Sequence, residues 1–143
     1  MPTGTAAKLY STELLSLATE LSAYPLDEAS PLQAEVRSRT CGSTLRISTE
    51  CDDAGKVASL GFAVSACAVG QAATTIFARS GNGCDEAAIA RSLAEIENWL
   101  STEDAPLPQW PGFSALEAAR EHRGRHGALV MPWKAAIEAL SKL

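Results

Sequence analysis

Two kinds of hydrophobic periodicity divide the chain. Apolar residues in 9–24 recur three and four positions apart, which predicts an amphipathic helix that ends before Pro25. Residues 32–39, 43–49 and 56–65 alternate instead between apolar and polar positions, a spacing typical of half-buried strands. Because the connections between these runs are short, the pattern predicts consecutive strands of an antiparallel meander. In the third run one face is assigned to four residues: Ala58, Leu60, Phe62 and Val64.

Helical spacing returns after the third predicted strand. It predicts helices in four segments: 67–81, 84–100, 114–127 and 128–143. Pro132 is expected in the first turn of the closing helix, where a missing N–H is tolerated. A three-stranded sheet flanked by helices makes the predicted class α+β. The length suits a single domain that spans 1–143.

The composition excludes some classes of partner. Hydrophobic residues make up 46% of the chain and charged residues 20%, as in an ordinary globular protein. The formal net charge of −5 argues against nucleic acid or anionic lipid as the main partner. The longest apolar stretch, 60–69, is too short to span a membrane, and 1–10 lacks a secretory signal. We therefore expect a cytoplasmic protein whose cysteines are thiols or metal ligands rather than disulfides.

Two of the four cysteines stand at junctions between predicted elements. Cys41 lies between the first two strands beside Gly42, and Cys67 lies where the third strand gives way to a helix. The first and third strands of a meander end at the same end of the sheet, so we expect the two thiols to converge. A helix N-terminus offers N–H groups and a positive dipole end, which favour the thiolate that binds metals and attacks sulfur. The alternative is that both cysteines fill space in the core.

Three short segments follow one another in a distinctive order. They are "TCGS" at 40–43, "DDAG" at 52–55 and "SACAVGQAA" at 65–73. This order resembles the U-type scaffolds of iron–sulfur cluster assembly: IscU, SufU and the N-terminal part of NifU. In that family a Cys-Gly-Asp tripeptide opens the second strand, an acidic hairpin follows, and a second cysteine leads into a helix. "LYSTELL" and "GNGCDEAAIA" extend the likeness, and "FSALEAAREHRGRHGALVMPWKAAIEAL" resembles the SufU branch in particular.

The resemblance implies a site for a transient iron–sulfur cluster or for a zinc ion. Family members hold either with three cysteines and the aspartate of the tripeptide, and Cys41 and Cys67 match two of these ligands. Ser43 stands at the aspartate position and Ala128 at the third cysteine position, so two expected ligands are replaced. Because zinc takes three or four protein ligands, two thiolates do not complete a stable metal site.

Three ways of dealing with the replaced ligands stay open. His126 or His122, both close to Ala128 in sequence, could supply an imidazole, which suits iron and zinc; of the two, His126 is the predicted metal ligand. A homodimer could share four thiolates from two chains. In the third case the metal site is lost. Cys51 and Cys84 match no family ligand. We expect Cys51 to be a peripheral thiol and Cys84 to be a thiol at a helix start or a packing residue.

The resemblance implies a scaffold or carrier rather than an enzyme. A cysteine desulfurase would deliver sulfur to the thiolates of Cys41 and Cys67, and a cluster would pass to apo iron–sulfur client proteins. The alternative is a metal-free interaction module that binds a desulfurase or a client. No glycine-rich phosphate loop, G-x-S-x-G or H-E-x-x-H motif is present, which argues against a conventional hydrolase or oxidoreductase.

Overall fold

A computed structural model describes residues 9–39 and 42–143 and confirms the α+β meander. Its strands are β1 (Leu32–Arg37), β2 (Thr44–Cys51) and β3 (Val57–Ser65). Its α-helices in these ranges are α1 (Thr12–Glu20), α2 (Ala68–Gly81), α3 (Glu86–Ser101) and α4 (His126–Leu140). Short 3₁₀ segments occupy Leu21–Ala23, Phe113–Glu121 and Arg123–Arg125. No helix in the described ranges is long and apolar enough to cross a membrane.

The sheet has the order β1-β2-β3, and both neighbouring pairs are antiparallel. The predicted inward positions of β2 are confirmed, since Leu45 and Ile47 are fully buried. The face predicted for β3 is wrong at Ala58, which is exposed while Val57 is buried. The reason is an irregularity in register, because Glu50 pairs with Ser59 but the next residue of β2 pairs with Val57. Such a bulge leaves one residue unpaired and moves the alternation by one place.

The core lies between the sheet and the helices, with α4 at its centre. This helix packs against β1, β2, α2 and α3. Its Trp133 is fully buried, meets Phe77 of α2 edge to face at 5.3 Å, and donates a 3.1 Å hydrogen bond to Ser92 of α3. Trp110 stacks on Phe77 at 5.2 Å and donates to the carbonyl of Ile76. Aromatic pairs of this kind add about 0.5–1.5 kcal/mol each beyond their buried area.

The C-terminal third departs from two predictions. The segment predicted as a short helix is 3₁₀ over Phe113–Glu121 rather than α-helical. The closing helix begins at His126, two residues earlier than predicted, so Pro132 lies inside it and not in its first turn. Since proline has no N–H, the helix lacks the bond that residue 132 would donate to the Ala128 carbonyl.

The segment between α1 and β1 covers the outer edge of β3, a feature that periodicity did not predict. The amide of Phe62 donates to the Tyr24 carbonyl at 2.9 Å, and Pro25 forms an isolated bridge with Phe62. Further along, the amide of Asp27 donates to the hydroxyl of Ser48 at 2.9 Å. The bond from Phe62 occupies a backbone amide of the edge strand β3 that would otherwise be open to pairing with another chain.

Buried polar bonds also join the helices, and Thr75 gives a test of the packing. Its hydroxyl is fully buried and donates to the Leu17 carbonyl in the last turn of α1 at 2.7 Å. We predict that Thr75→Val lowers the free energy of unfolding by about 1–3 kcal/mol, because a buried carbonyl loses its donor. Urea unfolding measures the change. The matched control is Thr19→Val, whose exposed hydroxyl bonds the Leu15 carbonyl and should matter by less than about 0.5 kcal/mol. Equal effects of the two substitutions would contradict this assignment.

Candidate functional site

Cys67 occupies the junction that the sequence predicts. It is the N-cap residue of α2, in an extended conformation, and its carbonyl accepts the 3.0 Å bond from the amide of Gln71. The side chain of Gln71 donates to the carbonyl of Ala66 at 2.9 Å, which ties the turn before Cys67 to the helix. The Cys67 side chain is half-buried and makes no capping bond. Its sulfur therefore lies at a helix N-terminus, where negative charge is favoured.

The β1–β2 loop lies at the same end of the sheet as Cys67. Thr44 pairs with Arg37 at the end of β1 and with Ser65 at the end of β3. The loop closes through the Ser38 amide, which donates to the Ser43 carbonyl at 2.8 Å. Cys41 belongs to this loop by sequence but lies outside the described residues, so the approach of its thiol to Cys67 stays a prediction.

Gly42 supports the predicted turn in the β1–β2 loop. Its φ of 71° is in the left-handed region that glycine adopts without strain. Its amide donates to the Ser38 carbonyl at 3.1 Å. Ser43, which the resemblance places at the aspartate of the Cys-Gly-Asp tripeptide, is 6% exposed and immediately precedes β2. Of the two neighbours of Cys41, Thr40 also lies outside the described residues, and Gly42 lies in a tight turn.

Ala128, the predicted third position, lies against the first turn of α2. A Cβ placed on Gly70 would be 3.2 Å from the Ala128 Cβ and 2.8 Å from the Ala66 Cβ. Ala128 itself is 0% exposed. The first turns of α2 and α4 therefore meet through small side chains at the Cys67 end of the sheet. The run of small residues around Cys67 was the signal for this close approach, although the sequence reasoning did not assign a role to Gly70.

The two histidines lie in other surroundings. The Nε2 atom of His126 is 2.8 Å from the Arg120 carbonyl, so the ring donates there. The same ring lines an open cleft with Glu103 and Asp104. Because successive residues advance by about 100° around a helix, His126 points about 200° away from Ala128. His122 lines a separate groove with residues of the N-terminal helix and the 3₁₀ segment, including Glu13 and Ser114.

Within the described part of the chain, the donor groups do not complete a metal site. Across residues 9–39 and 42–143, no three His, Cys, Asp or Glu side chains are grouped so that they could hold a metal ion. Of the residues outside those ranges, only Cys41 has such a side chain. Zinc and iron–sulfur sites take three or four protein ligands. The predicted metal role of His126 has no support in the geometry and remains a prediction.

Cys51 and Cys84 lie at the opposite end of the sheet. Cys51 pairs with Val57, whose amide donates to the carbonyl of Cys84 at 2.8 Å. Cys84 immediately precedes Asp85, the N-cap of α3, as expected for a thiol at a helix start. Burial, and then the charge of the adjacent aspartate, raises the pKa of both thiols above the ordinary value. The three cysteines in the described residues are all unpaired thiols.

The fold, a three-stranded antiparallel meander with flanking helices, is shared by solved structures of NifU-like and SufU proteins. One similar structure is the crystal structure of a nitrogen-fixing NifU-like protein (N-terminal) from Brucella abortus, which is 22% identical in sequence. The two structures align with a TM-score of 0.86 over 97% of this chain and 96% of that chain. A protein assigned as an iron–sulfur cluster assembly scaffold of the SUF system, from Fervidobacterium islandicum AW-1, is 17% identical with a TM-score of 0.81, over 93% and 97%.

A third solved structure, of a hypothetical protein, is 16% identical with a TM-score of 0.72, over 90% of this chain and 97% of that chain. No family model matches the chain, and no curated protein does. At these identities the likeness establishes the fold. It confirms the three-stranded α+β architecture that the resemblance implies.

The contact between the two helix starts gives a testable prediction. Gly70→Ala should lower the free energy of unfolding, because overpacking costs about 1–3 kcal/mol while removing a helical glycine gains only about 0.5–1 kcal/mol. Chemical denaturation measures the net loss. Gly124→Ala is the control, since a Cβ at that position meets nothing within 4 Å. A Gly70→Ala protein as stable as the parent would show that α2 and α4 do not pack as described.

The raised pKa values of Cys51 and Cys84 predict slow alkylation near neutral pH. A raised thiol pKa leaves less thiolate, the reactive form, at a given pH. We expect iodoacetamide at pH 7.5 to modify both residues more slowly in the folded protein than in urea, as followed by peptide mass spectrometry. The difference should narrow as the pH rises and both thiols ionise. Equal rates in the folded and unfolded protein at pH 7.5 would contradict the assigned environments.

Proposed function

We propose that the chain acts in iron–sulfur cluster assembly, as a scaffold or as a carrier of sulfur or of the assembled cluster. It accepts sulfur from a cysteine desulfurase on the thiolates of Cys41 and Cys67. The observation that carries the proposal is the half-buried Cys67 thiol at the N-terminus of α2, at the sheet end where the β1–β2 loop also lies. The similarity in fold to a protein assigned as an iron–sulfur scaffold supports it.

Sulfur transfer at this site needs no external oxidant. The thiolate of Cys67 attacks the terminal sulfur of a protein persulfide, a new S–S bond forms, and the donor's S–S bond breaks. The cysteine sulfur of the donor enzyme leaves as a thiolate, and Cys67 now carries the transferred sulfur as a persulfide. The first N–H groups of α2 have no partner within the helix, so its N-terminus favours negative charge near Cys67 both before and after the transfer. The donor enzyme supplies the sulfur already at the oxidation level of a persulfide, so this chain serves as an acceptor.

The partners follow from this chemistry. One is the desulfurase that presents the persulfide, and the other is an apo iron–sulfur protein that receives sulfur or cluster. A single domain over 1–143 suffices for this role, and a homodimer is one arrangement that would bring four thiolates together. We place the reaction in the cytoplasm, where thiols stay reduced.

A second function, a metal-free interaction module, is favoured by one observation. The third ligand position holds the buried Ala128, and the aspartate position holds Ser43. Such a module would bind the desulfurase or a client without holding metal, and Cys41 or Cys67 could still relay sulfur as a persulfide. The first function requires transfer of sulfur or cluster through the site, whereas the second requires only the binding of a partner.

Cysteine substitutions test the proposed function directly. We predict that the double variant Cys41→Ser/Cys67→Ser lowers the sulfur acquired from a desulfurase and L-cysteine by at least tenfold, because serine cannot form a persulfide and either thiol alone could still accept sulfur. Radiolabelled sulfur bound to the chain is the measurement. The matched controls are Cys51→Ser and Cys84→Ser, which lie at the far end of the sheet and should keep the parent level. If the parent binds the desulfurase yet acquires no sulfur, the interaction module is the correct function.

A further inference from the structure

The three segments that form the Cys67 end of the sheet are poor in metal ligands. They are residues 38–43, 65–71 and 127–131, and together they contain two cysteines but no histidine, aspartate or glutamate. Two contacts join these segments: Thr44 pairs with Ser65 just beyond the loop, and Gly70 lies against Ala128. A metal ion bound there by this chain alone would therefore have two protein ligands.

The position that could supply a third ligand holds a buried alanine. Ala128 is fully buried, and its Cβ faces the bare Cα of Gly70 across the first turns of α4 and α2. The residues before and after Ala128 in α4, Gly127 and Leu129, carry no donor side chain. Position 128 thus offers a methyl group and no donor atom to a metal ion near the start of α2.

No neighbouring histidine replaces the missing ligand. His126 lies about 200° around α4 from Ala128, and its Nε2 atom is engaged with the Arg120 carbonyl at 2.8 Å. To reach Cys67, the ring would have to break that bond and the first turn of α4 would have to rotate. Because Ala128 packs on Gly70 in that same turn, such a rotation would also expose the buried contact.

We infer that this site carries sulfur as a cysteine persulfide and does not hold a metal ion with its own residues, and that a cysteine in place of Ala128 would be enough to restore metal binding. The inference rests on the proposed function, because it assumes that the thiols of Cys41 and Cys67 accept sulfur. A persulfide requires one thiolate and an approach for the donor, whereas a metal ion requires a third and usually a fourth ligand. The site offers a thiolate for a persulfide but does not offer the third ligand that a metal ion requires.

Metal binding by three proteins tests the inference. The parent, Ala128→Cys and Ala128→Ser are titrated with Zn²⁺ against a chromophoric chelator, and with Co²⁺ to detect thiolate-to-metal absorption. We expect Ala128→Cys to bind Zn²⁺ at least ~100-fold more tightly than the parent, since losing even a supporting group costs 10–100-fold in affinity. Ala128→Ser is matched in size but is a poor ligand, and it should bind like the parent. Circular dichroism of each variant checks that the fold is retained.

The parent's own behaviour decides the question even if Ala128→Cys does not fold. One Zn²⁺ per monomer, held so tightly by the parent that the chelator cannot compete, would overturn the inference. In parallel, the metal-free parent is treated with glutathione persulfide, and the sulfur bound to Cys41 and Cys67 is measured by mass spectrometry. Sulfur loading with weak Zn²⁺ binding supports the inference. Sulfur loading with tight Zn²⁺ binding overturns it and leaves the proposed function intact, whereas failure to load sulfur overturns the proposed function itself.

Discussion

The meeting of two helix starts, α2 and α4, is the constraint on which the site depends. At Gly70 and Ala128 the two first turns approach so closely that one additional Cβ would be only 3.2 Å from its neighbour. Further along the same helices, Phe77 and Trp133 extend the contact into the aromatic core. Since α4 also packs on β1 and β2, this single helix sets where the start of α2, and with it Cys67, lies relative to the sheet.

The same close approach that positions Cys67 also limits its chemistry. Small residues let the backbones meet, but a small residue at position 128 offers no donor atom to a metal. If the proposal is correct, a scaffold that holds a cluster and a carrier that moves sulfur share one backbone and differ at two buried ligand positions, 43 and 128. The 16–22% identity to the solved structures of this fold leaves ample room for such a difference.

Much of the fold could be predicted because its strands are half-buried and its connections short. Alternation identified β1 and β2, and the residue types around Cys67 identified the step from strand to helix. Alternation failed at Ala58, because a bulge depends on the partner strand and not on the bulged residue itself. It also could not show that Tyr24 and Pro25 cover the edge of β3, since that contact is long-range and made by backbone atoms.

The candidate site was less accessible to sequence reasoning than the fold. The convergence of the β1–β2 loop and Cys67 follows from meander topology, and the register agrees with it. The direction of His126 does not follow from topology. It depends on where α4 begins, and the prediction placed that start two residues too late, with Pro132 in the first turn. An error of two residues in a helix start changes which side chain faces the site, because each residue turns the helix by about 100°.

The central claim is that Cys41 and Cys67 share one end of the sheet, and a short bifunctional thiol reagent measures this most directly. Treated with such a reagent at low protein concentration, the folded chain should form one intramolecular cross-link, between the peptides that contain Cys41 and Cys67. The cross-link should disappear when the chain is unfolded in urea. A folded chain that forms no such link, or that joins either residue to Cys51 or Cys84 instead, would contradict the account.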